Sequence, residues 1–191
     1  MKDKFSIGLS FTSLFAALIA VAGFIKIPLG IIPIAFQNII CLLSGAIIGG
    51  FSGVLPVILF LFVGFLGFPV YSGGTGGISI WIGPTGGFLV GYLFGTLVTS
   101  CIVGKAKSNS KFEILKIILG IVFGSLIIYF FGILGFSWWI LKTNSAINLK
   151  SAISSSLTTC VIPFLPADFI KILISIPIAL KGRNLIFQYF N

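Results

Sequence analysis

Apolar runs of near-membrane length, separated by short connections that carry most of the basic residues, make up the greater part of this chain. They fall at residues 7–25, 37–53, 54–67, 84–103, 112–135 and 154–180. A hydrocarbon core of about 30 Å needs about 20 apolar residues per helix, so the pattern predicts an all-α integral membrane protein with six transmembrane helices. The third run is short for a full crossing, and Pro56 falls in its first turn, where proline is tolerated. Within the runs, small residues recur at intervals of four. Ala16 and Ala20 mark the first, Gly45, Gly49 and Gly53 the second, and Gly83, Gly87, Gly91 and Gly95 the fourth. Such faces let a neighbouring helix approach closely, and the fourth can alternatively leave room for a ligand.

The connections are of two kinds. Pro28, Gly30 and Pro33 break helical pairing and predict a first loop. Residues 67–87 contain no charge, carry many glycines, and include Phe68, Tyr71, Ile78, Ile80 and Trp81. Aromatic and apolar residues argue against disorder, and long loops tend to be functional, so this stretch reads as a gate or lid. Phe136 to Lys150, with Trp138, Trp139 and Lys142, reads as an interfacial loop with aromatics at headgroup level.

Composition agrees with a single membrane domain over 1–191. The chain is 58% hydrophobic and 8% charged, with mean hydropathy +1.22, against about 25% charged in a soluble domain. Its net charge of +9 does not point to nucleic acid, because the basic residues sit between apolar runs. They orient the chain instead. With a cytoplasmic N-terminus, the inner side holds Lys2, Lys4, Lys105, Lys107, Lys111, Lys116, Lys181 and Arg183, and the outer side only Lys26, Lys142 and Lys150. The positive-inside rule then places both termini in the cytoplasm. Ala20-Val21-Ala22 imitates a leader-cleavage site, but the apolar run is nearly span length and is followed by further spans, which favours an uncleaved first helix. Cys41, Cys101 and Cys160 are far apart in apolar surroundings and read as buried thiols, not a disulfide or zinc site. Histidine is absent, which removes the commonest general base and makes an enzyme the weakest reading. No Walker A sequence occurs, so no ATP site of that kind is present and ATP-driven work would fall to partners.

Only three side-chain carboxylates exist; Asp3 sits in the N-terminal tail and Glu113 at the edge of the fifth run beside a basic loop, so Asp168, three residues before Lys171, is the only one that an apolar segment must accommodate. Charges within membrane-length segments cost at least a few kcal/mol each and are usually retained for a ligand, an ion or a partner. Pro166 is favourable at a helix start, which places Asp168 in the opening turn near the positive end of the helix dipole. Lys171 shares its face. The two residues read either as a structural ion pair or as an acceptor beside a donor, suited to a neutral planar ligand with N–H and carbonyl groups and an apolar body.

Four stretches together resemble the BioY family, the biotin-specific S components of energy-coupling-factor transporters. They are Ile27 to Gln37 with the pattern I-P-L-x-x-x-P-I-x-x-Q, Gly67 to Gly74, Gly83 to Phe88, and Leu165 to Lys171. The resemblance implies a six-helix bundle that binds biotin on its external side beneath the first and third loops. It implies that Asp168 and Lys171 contact the ureido ring, or Lys171 the carboxylate, and that Ala16 and Ala20 dock on a membrane coupling protein mounted on two cytoplasmic ATPases. Gln37, Tyr71, Gly73, Gly74, Trp81 and Thr85 are further site candidates, each also readable as packing. Phe88 and Ala167 stand where many members have tyrosine and glycine. For the ligand carboxylate, Lys26, Lys171 and loop N–H groups are the candidates. No cofactor or metal is implied. The competing readings are an S component for another vitamin and a scaffold subunit that binds no small molecule.

Overall fold

A computed structural model describes residues 2–27, 32, 34–105, 112–144 and 146–190; its side chains are described from Gly8 onward, apart from residues 26, 27, 34 and 188–190. Pro28, Gly30, Pro33, Lys107 and Lys111 lie outside the described residues, as do the side chains of Lys2, Lys4 and Lys26. The described helices are α1 (Lys2–Ala22), α2 (Gln37–Ile48), α3 (Leu55–Phe65), α4 (Ile78–Ile82), α5 (Gly86–Val103), α6 (Glu113–Thr143), α7 (Leu149–Cys160) and α8 (Leu165–Phe190). Two two-residue strands, β1 (Lys26–Ile27) and β2 (Ile34–Ala35), form a small antiparallel ladder before α2.

Helices α5 and α6 form the most extensive pair, α2 packs on α5 and α8, α7 on α6, and α1 on α3. The glycine series explains the first pairing. A Cβ at Gly91 would stand 2.9 Å from the Ile128 Cα, and one at Gly95 would stand 2.6 Å from the Gly124 carbonyl oxygen. Both neighbours are backbone, so the small face of α5 serves close packing against α6 and not ligand room. Large apolar side chains such as Leu18, Phe62, Phe123, Leu126, Phe130 and Phe169 point outward. Helices α5 and α6 are each long and apolar enough to cross a bilayer. The α7–α8 pair makes a third such span bent by 51°, while α1, α2 and α3 supply shorter apolar stretches.

Three boundaries differ from the hydrophobic pattern. The run at 37–53 divides after Ile48, because Gly49 and Gly50 adopt φ of +69° and +60°, a region L side chains rarely enter. Helix α6 continues to Thr143 without a loop at Phe136. Nothing in Phe136 to Thr143 breaks a helix, and Phe136 and Trp139 stack at 5.8 Å while Ser137 bonds Ser156 of α7 at 2.7 Å. Trp138 and Lys142 therefore lie on a helix, in a cation–π contact of 5.0 Å. The last run, 154–180, is two helices separated by a turn at Val161–Phe164, where Pro163 disfavours helical backbone in the residue before it. Cys41 and Cys160 are buried, but Cys101 is exposed on the outer face of α5.

Candidate functional site

The break before α8 puts a helix start inside the bundle, and Asp168 occupies its first turn. Discontinuous helices in transporters use this arrangement, since unpaired N–H groups and the dipole favour negative charge there. Asp168 is 7% exposed and its carboxylate is held from three elements. Lys171 Nζ donates to Oδ1 at 2.8 Å, Asn38 Nδ2 donates to both oxygens at 3.3 and 3.2 Å, and the Tyr129 hydroxyl donates to Oδ2 at 2.5 Å. Lys171 also donates to the Ala35 carbonyl at 2.9 Å and to Asn38 Oδ1 at 3.3 Å, with its ammonium 5.1 Å from the Phe36 ring centroid. An ammonium has three donors, and all three are committed. The ammonium is thus fully engaged, whereas the carboxylate, two of whose contacts are the long ones from Asn38, still lines a cavity.

One side of Asp168 faces a cavity of about 340 Å³, within the size range of small-molecule sites. Its walls come from the start of α2 (Gln37, Asn38), the uncharged loop (Tyr71, Ser72, Thr75), α4 (Ser79, Ile80), the start of α5 (Thr85, Phe88, Leu89, Tyr92), α6 (Ile128, Tyr129) and Phe164. The cavity is mainly apolar, with hydroxyls at the loop side and the carboxylate at the other. A separate apolar groove on the outer face, between Val122, Leu126 and Phe169, reaches the same Tyr129 and Asp168. The Tyr129–Asp168 hydrogen bond therefore lies between the two.

The loop is tied down by its own polar groups. The Tyr71 hydroxyl donates to the Leu61 carbonyl at 2.7 Å and accepts from Trp81 Nε1 at 3.0 Å. Burial pushes that hydroxyl above the ordinary tyrosine range, with the Trp81 hydrogen bond opposing, so it stays a donor at neutral pH. Its ring fills the space over Gly64, where any Cβ would collide. Gly73 N–H donates to the Gly23 carbonyl at 2.8 Å, and Gly74 N–H to the Tyr71 carbonyl at 2.9 Å. Gln37 is fully buried, and its Nε2 donates to the Ile19 carbonyl at 3.1 Å and to the Val70 carbonyl at 2.8 Å. Those two bonds fix the amide, leaving Oε1 a buried acceptor with no protein partner, in a residue that lines the cavity.

Of the site residues expected from sequence, Asp168, Gln37, Tyr71 and Thr85 line the cavity; Lys171, Gly73, Gly74 and Trp81 do not, although Lys171 bonds Asp168 and Trp81 bonds Tyr71. Ala16 is buried, and Ala20 is half-buried against the core, while Leu14, Ala17, Leu18 and Val21 are the exposed positions of that part of α1. Asn38 and Tyr129 were not anticipated. The available signals were small: Asn38 is a strong polar group at the head of an apolar run, and Tyr129 is the only tyrosine in 112–135. No group of metal-ligating residues occurs among the described residues.

A helical bundle with outward apolar faces and a cavity at a broken helix belongs to the class of membrane proteins that bind a small molecule within the bundle. The particular relationship is visible in the sequence. The model of the BioY family matches residues 1–187, and the chain belongs to that family. It is 39% identical over 167 residues to the biotin transporter BioY of Rhodobacter capsulatus, covering 85% of each chain. It is 31% identical over 185 residues to the Rhizobium etli biotin transporter BioY, covering 93% of this chain and 92% of that one. The fold superposes on a crystal structure of the S-component for biotin from an ECF-type ABC transporter with a TM-score of 0.76, at 27% identity, covering 100% of this chain and 99% of that one.

Proposed function

We propose that the protein binds biotin and serves in its uptake as the S component of an energy-coupling-factor transporter. The observation that carries this reading is the Asp168 carboxylate at the cavity wall, held by Lys171, Asn38 and Tyr129 in a chain whose named relatives are biotin transporters. A ureido ring offers N–H donors, and the carboxylate is the acceptor placed to receive them. Gln37 Oε1, a buried acceptor without a protein partner in a residue that lines the cavity, is a second acceptor whose direction the protein has fixed. The apolar wall at Phe88, Leu89 and Ile128 suits the ring body. The hydroxyls of Thr75 in the loop and Ser79 on α4, with Thr85 at the head of α5, suit the polar end of the ligand tail.

In this reading Lys171 acts through Asp168 and not as a free contact, because its donors are already committed. Tyr71, Trp81, Gly73 and Gly74 hold the lid. The six crossings are α1, α2, α3, α5, α6 and the bent α7–α8, which puts the cavity on the external side and both termini in the cytoplasm of a prokaryotic cell. The open face of α1 beside Ala16 and Ala20, carrying Leu14, Ala17, Leu18 and Val21, docks on a membrane coupling protein, and two cytoplasmic ATPases supply the energy.

Titration of purified protein with biotin tests the assignment. Asp168→Asn replaces a charged acceptor by a neutral amide whose NH2 group is a donor set among donors. Affinity is expected to fall about 10- to 100-fold, the worth of a hydrogen bond to a charged group. Lys171 keeps the Ala35 carbonyl and Asn38, so the variant is expected to insert and fold. Unchanged affinity in the folded variant would remove Asp168 from the site.

A further inference from the structure

Outside the cavity, one buried charge uses every hydrogen-bond donor it has. Arg183 is 1% exposed. Its Nη1 donates to the Ala46 carbonyl at 2.8 Å and the Gly104 carbonyl at 3.1 Å, and its Nη2 to the Lys105 carbonyl at 3.0 Å and Glu113 Oε1 at 3.2 Å. Its Nε points to Glu113 Oε2 at 3.4 Å. A guanidinium carries five N–H groups in a rigid fork, and all are directed at acceptors.

The acceptors are not a random set. Ala46 lies in the last turn of α2 and Gly104 is the C-cap of α5, so two of the carbonyls belong to helix ends that lack intrahelical donors and carry partial negative charge. Glu113 opens α6, and Arg183 belongs to α8. These four helices are also the ones that supply Asn38, Tyr92, Tyr129 and Asp168 to the cavity. One side chain therefore joins, at one end of the bundle, the same four walls that meet around the ligand site at the other. The separation along α8 is about 20 Å at 1.5 Å per residue.

We propose that Arg183 is a positioning residue for the ligand site: it fixes the axial register of α8 against α2, α5 and α6, so that Asp168 meets Asn38 and Tyr129. Among the described residues between Lys171 and Arg183, no side-chain hydrogen bond joins α8 to these helices, and its contacts are of the kind where Gly182 packs on the Ile47 side chain, apolar and non-directional. Such surfaces resist separation more than sliding. The guanidinium resists sliding, because a displacement of about an ångström leaves buried carbonyls or N–H groups unpaired. At the cavity, a similar slip would part the Tyr129 hydroxyl and Asn38 amide from the carboxylate they hold. Lysine is not equivalent here, having three donors on a flexible stem against a fork of five.

The inference rests on the biotin reading, and its test separates the two. The full-length protein is purified as wild type, Arg183→Lys, Glu113→Gln and Ile117→Val, the last removing one methyl from a buried residue one turn along α6 from Glu113 while leaving the hydrogen bonds of the fork untouched. Biotin affinity, melting temperature and amide exchange at residues 164–171 are measured. Arg183→Lys is expected to weaken biotin binding about tenfold and Glu113→Gln a few-fold, the size of remote coupling through a packed network. Exchange at 164–171 is expected to quicken in both without ligand. Ile117→Val is expected to lower the melting temperature but keep affinity within about twofold. Wild-type affinity in Arg183→Lys, or an equal loss in Ile117→Val, overturns the proposal. If Arg183→Lys does not fold, Glu113→Gln decides, since it keeps the carbonyl bonds; unchanged affinity and exchange there overturn it. A wild-type protein that binds no biotin overturns the ligand reading alone, and the exchange comparison then judges Arg183.

Discussion

At the scale of single residues, the site is built so that no charge is left without a partner. Asp168 receives three donors and Lys171 gives all three of its own, a closed set that satisfies the requirement for burying an ion pair. Tyr129 is the member most open to test. Tyr129→Phe keeps the ring in place and removes only the hydroxyl, while Lys171 and Asn38 still hold the carboxylate. Biotin affinity is expected to change by about tenfold with little effect on folding, as titration and thermal unfolding of one preparation would show. Asp168 and Lys171 were legible in the sequence because full charges in an apolar run are too costly to be incidental. Asn38 and Tyr129 were not, because a neutral amide or phenol is tolerated in such runs without a function. Arg183 was read as an orienting charge at a helix end; its position in the chain could not show that three backbone carbonyls and Glu113 converge on it.

At the scale of elements, the run pattern located the helices but not their interruptions. The fourth run matches α5 closely, and the start of the second is that of α2. What the pattern missed are the joints: the Gly49–Gly50 turn, the extension of α6 through Trp138 and Trp139, and the break before α8. Hydropathy is continuous across all three, so only backbone conformation and tertiary packing reveal them. The break matters most, since it creates the helix start on which Asp168 sits. The α5–α6 seam is the element-scale feature most sensitive to substitution. Gly95→Val would drive its side chain against the Gly124 backbone and Ile128, and the two helices would have to part. A loss of about 1–3 kcal/mol is expected, read as a lower melting temperature in detergent. Because α5 and α6 both line the cavity, weaker biotin binding should accompany it.

For the whole molecule, the question is which surface a partner uses without disturbing the site. The resemblance placed docking on Ala16 and Ala20, but Ala16 is already covered by the chain's own packing, while Leu14, Ala17, Leu18 and Val21 face outward. Ala16 and Ala20 set how closely α1 approaches the bundle, and their exposed neighbours form the surface a partner can reach. Two substitutions one residue apart should therefore fail differently. Ala17→Trp adds bulk on the open face; it is expected to keep biotin affinity and melting temperature but abolish co-purification of the proposed coupling protein and ATPases from native membrane. Ala16→Trp forces the same bulk into the bundle, and small-to-large changes at packed positions cost about 1–3 kcal/mol. It is expected to lower the melting temperature first and lose partners only with the fold. If Ala17→Trp retains the partners in full, the docking surface lies elsewhere on the outer face of the bundle.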